Sequence, residues 1–98
     1  MTPRIPIDKD RIRDFCRRNH IRKLALFGSV LRDDFGPESD VDVLVEFEEG
    51  HAPGFVFFAL QNELASLFGR KVDLQTPGFL SRYFRNEVLE HAQVQYAA

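Results

Sequence analysis

The chain has one cysteine, hardly any net charge and no apolar run that approaches the length of a membrane span. Each shortage removes a class of protein. A lone Cys16 cannot staple the fold, which fits a reducing cytoplasm. Its place in an amphipathic pattern makes it a small buried apolar residue and not a nucleophile. The N-terminal stretch "MTPRIPIDKDRIRDF" lacks the apolar core of a signal peptide. A net charge of −2 rules out wholesale attraction to nucleic acid. No internal repeat, low-complexity tract or linker interrupts the chain, and no Cys/His cluster has zinc spacing.

What remains is rich in core-forming residues. Ninety-eight residues, 44% of them hydrophobic and ten of them Phe, fit a single domain over 1–98 with a modest core. The charges are segregated. Residues 1–25 carry eight Lys/Arg against three Asp, and residues 33–50 carry eight Asp/Glu and no Lys/Arg. This polarity suits either an oppositely charged partner surface or a cation site, and the basic end reads mainly as a solvated helix face.

Hydrophobic spacing predicts a helix over 8–19, capped by Asp8, with Ile12, Phe15 and Cys16 on one face. A strand follows over 22–27 and is broken by Gly28-Ser29, after which "SVLRD" suits one or two helical turns. A loop with Gly36 and Pro37 leads to a strand over 41–47, where Val41, Val43, Val45 and Phe47 face one way. Residues 55–68 form the next helix, with Phe57, Leu60, Leu64, Leu67 and Phe68 as its stripe and Gly69 at its end. A short strand over 70–75, a helix over 79–91 and a weakly alternating tail, "QVQY", suited to an edge strand, complete the chain. The order predicts an α/β fold, a small mixed sheet with helices packed on it and at least one antiparallel pair.

Two aspartates sit oddly in this pattern. Asp40 and Asp42 share a face opposite Val41 and Val43. Two carboxylates so close repel when both are ionised, and a divalent cation between them removes that cost. Oxygen-only donors favour Mg²⁺ or Mn²⁺. Upstream, Gly28-Ser29 lies where a strand turns into a helix, so free backbone N–H groups and the helix dipole favour phosphate there. Gly28 permits close backbone approach, Ser29 adds a hydroxyl donor, and Arg32, one turn on, is placed to reach a phosphate oxygen. If the strand at 70–75 lies beside the one at 41–47, Asp73 joins the Asp40/Asp42 face and helps activate an attacking hydroxyl, as base or as metal ligand. This is equipment for nucleotidyl transfer.

Gly-Ser, ten residues, Asp-x-Asp and a later strand aspartate resemble the signature of the polymerase-β-like nucleotidyltransferase superfamily, and within it the minimal nucleotidyltransferases. The resemblance spans nearly the whole chain, through "LALFGSVLRDDFGPESDVDVLVEF", "LFGRKVDLQTP" and "YFRNEVLEHAQVQYAA". Members commonly read Gly-Ser-x-Ala-Arg-Gly at the first motif; here Leu31 replaces the Ala and Asp33 the Gly, while Arg32 is kept. The resemblance implies the family's nucleotidyltransferase core, Asp40 and Asp42 as metal ligands, Asp73 as third catalytic carboxylate and ligand, and Gly28, Ser29 and Arg32 as contacts to the nucleoside triphosphate. It further implies Mg²⁺, ATP as donor, and a HEPN-domain ribonuclease toxin as partner, whose tyrosine hydroxyl receives AMP. Stand-alone members are similar to antitoxins of such two-gene modules.

Two other functions fit the same residues: a non-catalytic antitoxin acting by occlusion, and a catalytic subunit modifying a small-molecule hydroxyl. The histidines carry less. His20 reads as a helix-end residue, His51 as a loop residue and His91 as a solvated helix residue. Phe55, Phe57 and Phe58 read as core and loop anchors, and Tyr83 and Tyr96 as amphipathic packing.

Overall fold

The computed structural model describes residues 7–31, 36, 39–51, 54–77 and 85–98. Helix α1 spans Lys9–Arg18 because its start and end are both satisfied locally. The Asp8 carboxylate accepts the Arg11 N–H at 3.2 Å, and Asn19 donates its side-chain amide to Phe15 O at 2.9 Å. The first strand, β1, runs Ile21–Phe27; β2 runs Val41–Phe47; helix α2 runs Phe57–Phe68 behind a 3₁₀ turn at Gly54–Val56. Strand β3 is Val72–Gln75, helix α3 Arg85–His91 and strand β4 Gln93–Ala97. Residues 78–84, including Leu80, Tyr83 and Phe84, lie outside the described residues, as do Arg32 and Pro37.

The four strands form one mixed sheet in the order β3-β2-β1-β4. β1 pairs antiparallel with β2 and with β4, and β2 pairs parallel with β3. A parallel pair needs a crossover of a dozen or more residues, which α2 supplies. The tail thus becomes a true fourth strand, closing the edge of β1 that β2 leaves open.

Alternation divides the sheet into two faces. Leu24, Leu26, Val41, Val43, Val45, Val72 and Leu74 point into a core shared with Ile12, Phe15 and Cys16 of α1 and with Leu60 and Leu64 of α2. Helix α1 lies over β1 and β4, and α2 lies beside β3. In α2 only Leu60 and Leu64 are fully buried; Phe57, Leu67 and Phe68 pack half-buried around the same core, while Phe58 is 71% exposed. Between the helices, Arg18 reaches Glu63 at 2.7 Å and Asp14 at 3.1 Å. Gln61 accepts the Leu74 N–H at 3.0 Å and so satisfies an amide of the edge strand.

Cys16 is fully buried, as its helical spacing predicts. Burial pushes its thiol from the ordinary 9.0 up to about 12. The unfolded chain therefore loses this proton first as pH rises, and the folded state loses stability between those two values. Below pH 9 the contribution is constant. Urea denaturation of the wild type and of Cys16→Ala, at pH 7 and pH 10.5, is expected to show the wild type losing more stability than the variant over that interval. Equal losses would mean that the thiol does not ionise differently in the two states.

Candidate active site

The acidic residues gather where three strands meet at one end of the sheet. β1 ends there at Phe27, and β2 and β3, being parallel, both begin there. Asp40 stands immediately before β2, half-buried, and pairing starts at once: the Val41 N–H donates to Lys71 O at 2.9 Å. Asp42 is the second residue of β2 and faces away from the helices, opposite its neighbours Val41 and Val43.

The register brings Asp73 beside Asp42. In the parallel pair Val41 faces Val72, Asp42 faces Asp73, and Val43 faces Leu74. Side chains matched this way share a face, so the two carboxylates stand one strand spacing apart, roughly 5 Å between backbones. Asp73 is exposed, and one of its oxygens accepts the Gln75 side-chain N–H at 3.0 Å. Among the described residues, no three His, Cys, Asp or Glu side chains come close enough to hold an ion by themselves. Magnesium usually takes one or two carboxylates together with substrate phosphates and water. The donor set, carboxylate oxygen throughout, fits that ion and not zinc.

Gly28 abuts Asp42 directly. Phe27 is the strand partner of Asp42, and the chain turns at Gly28 with φ of +73°. A Cβ built there would sit 3.2 Å from the Asp42 carboxyl carbon and closer still to one of its oxygens. Only a bare α-carbon allows this approach. The helix expected after Gly28 is, in the described residues, a four-residue 3₁₀ turn, Gly28–Leu31. Individual backbone N–H groups at the start of this turn are placed to attract phosphate. Ser29 lies in this turn; Val30 and Leu31 anchor it in the core. Arg32 lies outside the described residues.

The histidines stay away from this end. His20, at φ of +56°, turns α1 into β1, and its carbonyl accepts the Glu48 N–H at 2.8 Å. Its ring stacks on that of His51 with centroids 4.0 Å apart. Sequence spacing does not show this pairing, because thirty residues separate the rings. Glu48 lies six strand residues beyond Asp42, about 20 Å at strand rise, which excludes the pair from the acidic centre.

The Gly28–Asp42 contact generates a test. Gly28→Ala forces an L-residue into the left-handed region, which costs roughly 1–2 kcal/mol, and adds a collision with the Asp42 carboxylate. Urea denaturation is expected to show a larger loss in the wild-type background than in Asp42→Ala, where only the backbone term remains. Equal losses in both backgrounds would refute the contact.

The chain is similar in sequence and in fold to known proteins. A Methanocaldococcus jannaschii protein named as a candidate protein adenylyltransferase is 37% identical over 71 residues, 71% of this chain and 70% of its own. A solved structure of a candidate minimal nucleotidyltransferase superposes with a TM-score of 0.71 at 32% identity, over 86% of this chain and 85% of its own. A chain from the complex of a tri-AMPylated Shewanella oneidensis HEPN toxin with an MNT antitoxin shares the fold, with a TM-score of 0.65 at 22% identity over 92% and 70% of the two chains. The family pattern described as nucleotidyltransferase domain matches residues 9–94, and the chain belongs to that family.

Proposed function

We propose that the protein is an Mg²⁺-dependent adenylyltransferase that moves AMP from ATP to a tyrosine hydroxyl of a HEPN-type toxin, and so acts as that toxin's antitoxin in the cytoplasm. The observation that carries this reading is the in-register pairing of Asp42 with Asp73 beside the bare backbone of Gly28. Support for the acceptor comes from likeness: one relative bears the name of a protein adenylyltransferase, and a structure of the same fold comes from a complex with an AMPylated HEPN toxin.

The chain's own groups divide the work. Backbone N–H groups at Gly28 and Ser29 receive the triphosphate, and Gly28 lets it approach closely to Asp42. Arg32 adds a cationic contact to phosphate. Carboxylates drawn from Asp40, Asp42 and Asp73, one or two at a time beside substrate phosphates and water, would hold the divalent ion, Mg²⁺ or Mn²⁺, which when bound supplies charge neutralisation to the phosphates. The acceptor hydroxyl attacks the α-phosphorus in line. A new P–O bond forms, the bond to the β-phosphate breaks, and pyrophosphate leaves. Asp73, the most exposed of the three carboxylates, takes the hydroxyl proton. Exposure favours this role, because the acceptor comes from another protein and must reach the base from outside.

The test uses radiolabelled ATP, Mg²⁺ and the protein encoded by the neighbouring gene, expected to be a HEPN-type toxin. Label is expected on the partner's tyrosine, absent with Asp40→Ala and reduced about 10²–10⁴-fold with Asp73→Asn. An unlabelled folded partner overturns the proposal. Protection of cells by Asp42→Asn would instead assign the neutralising effect to occlusion.

A further inference from the structure

We infer that Arg70 is a positioning residue that braces the Gly36–Ser39 pair leading into Asp40 against the entrance of β3, and so sets how the Asp40 and Asp42 carboxylates lie relative to Asp73; this rests on the reading of those three residues as the catalytic centre. The backbone of Arg70 is itself pinned. Gly69 ends α2 at φ of +68°, and the N–H groups of both Gly69 and Arg70 turn back to Ala65 O, the latter at 3.1 Å. This is the helix-end arrangement that glycine permits.

From that fixed point the half-buried Arg70 side chain crosses to the other strand's entry. Its guanidinium donates to Gly36 O. The same carbonyl accepts the Ser39 N–H at 3.0 Å, and the Ser39 hydroxyl accepts the Gly36 N–H at 3.1 Å. Gly36 and Ser39 are thus bonded to each other twice, and Arg70 fastens that pair to the end of α2. The next residue of the strap repeats the link: Lys71 O takes the Val41 N–H. Residues 36 and 41 are therefore tied to 70 and 71, with Asp40 held between them and Asp73 two residues further along. A cationic donor on a carbonyl is stronger than a neutral one. The planar guanidinium also holds a direction that a lysine ammonium does not.

Removing the guanidinium leaves the Gly36–Ser39 pair bonded but unfastened, so folding and alignment separate. Arg70→Ala is expected to melt within a few degrees of wild type. Its kcat for AMP transfer, per folded molecule at saturating ATP, falls about ten- to hundredfold, as misplacement of reacting groups by an ångström does. Millimolar guanidinium chloride restores part of that turnover, and restores none to Asp40→Ala. A kcat within twofold of wild type, a loss that only tracks the unfolded fraction, or failure of guanidinium to rescue would each overturn the proposal. Amide hydrogen exchange gives a readout that needs no turnover. Ser39 and Val41 exchange faster in Arg70→Ala while the β1 amides hold. Unchanged exchange at both overturns the brace even if the enzyme is active. Faster exchange supports it even if the wild type labels no partner, which would be a failure of the catalytic reading alone.

Discussion

The parallel register of β2 against β3 governs everything at the acidic end. It is held from the far side of the sheet. Val41 against Val72 and Val43 against Leu74 are matched pairs buried under the helices. Slipping β3 by one residue would turn Val72 and Leu74 to the outer face and drive Asp73 into the core, where an unpaired carboxylate costs several kcal/mol or more. Hydrophobic burial on one face therefore chooses the neighbours on the other. Asp42 and Asp73 end up side by side because valine and leucine pack well, although the two carboxylates repel. A local conflict that the fold enforces is the kind that marks a functional site.

The crossover that makes β3 parallel also equips the site. A hairpin would have delivered β3 from the opposite end of β2. Passing through α2 instead returns the chain to the end where β2 begins, and places the end of α2, Arg70 and Lys71 beside the entry to Asp40. On the other flank, β1 runs antiparallel to β2 and stops where Asp42 starts, so its terminal turn brings Gly28 against that carboxylate. One central strand is thus dressed on both sides by backbone: a glycine turn from β1 and a strap from β3.

Much of this was legible because it is local. Period-two alternation in 41–47 placed Asp42 opposite the buried valines, helical spacing found Ile12, Phe15 and Cys16, and Asp8 and Gly69 marked helix ends. The same alternation in "KVDLQ" placed Asp73 on a face, and the supposition that its strand lies beside β2 agrees with the observed pairing. What resisted was long-range or weakly patterned. The strand order cannot be read from periodicity, since β4 joins β1 across some seventy residues. The His20–His51 stack and the bond from Arg70 to Gly36 join residues thirty or more apart, and no spacing rule anticipates a contact between a side chain and a distant carbonyl.

Charge is partitioned along β2 in a way that separates support from chemistry. At the far end Glu46 shares the outer face with Asp42 but is matched by Arg22 at 3.1 Å and Lys23 at 3.8 Å, both on the neighbouring strand. Exposed pairs of this kind contribute at most about 1 kcal/mol each, yet they neutralise the acid. At the near end the cross-strand neighbours of Asp42 are Phe27 on β1 and Asp73 on β3. Between the two ends the outer face is sealed by Ala25 and Leu44, both nearly inaccessible. This apolar pair separates the Glu46 ion pairs from the Asp42–Asp73 end of the same face, so one valine-backed strand carries a structural charge cluster and the candidate site at opposite ends.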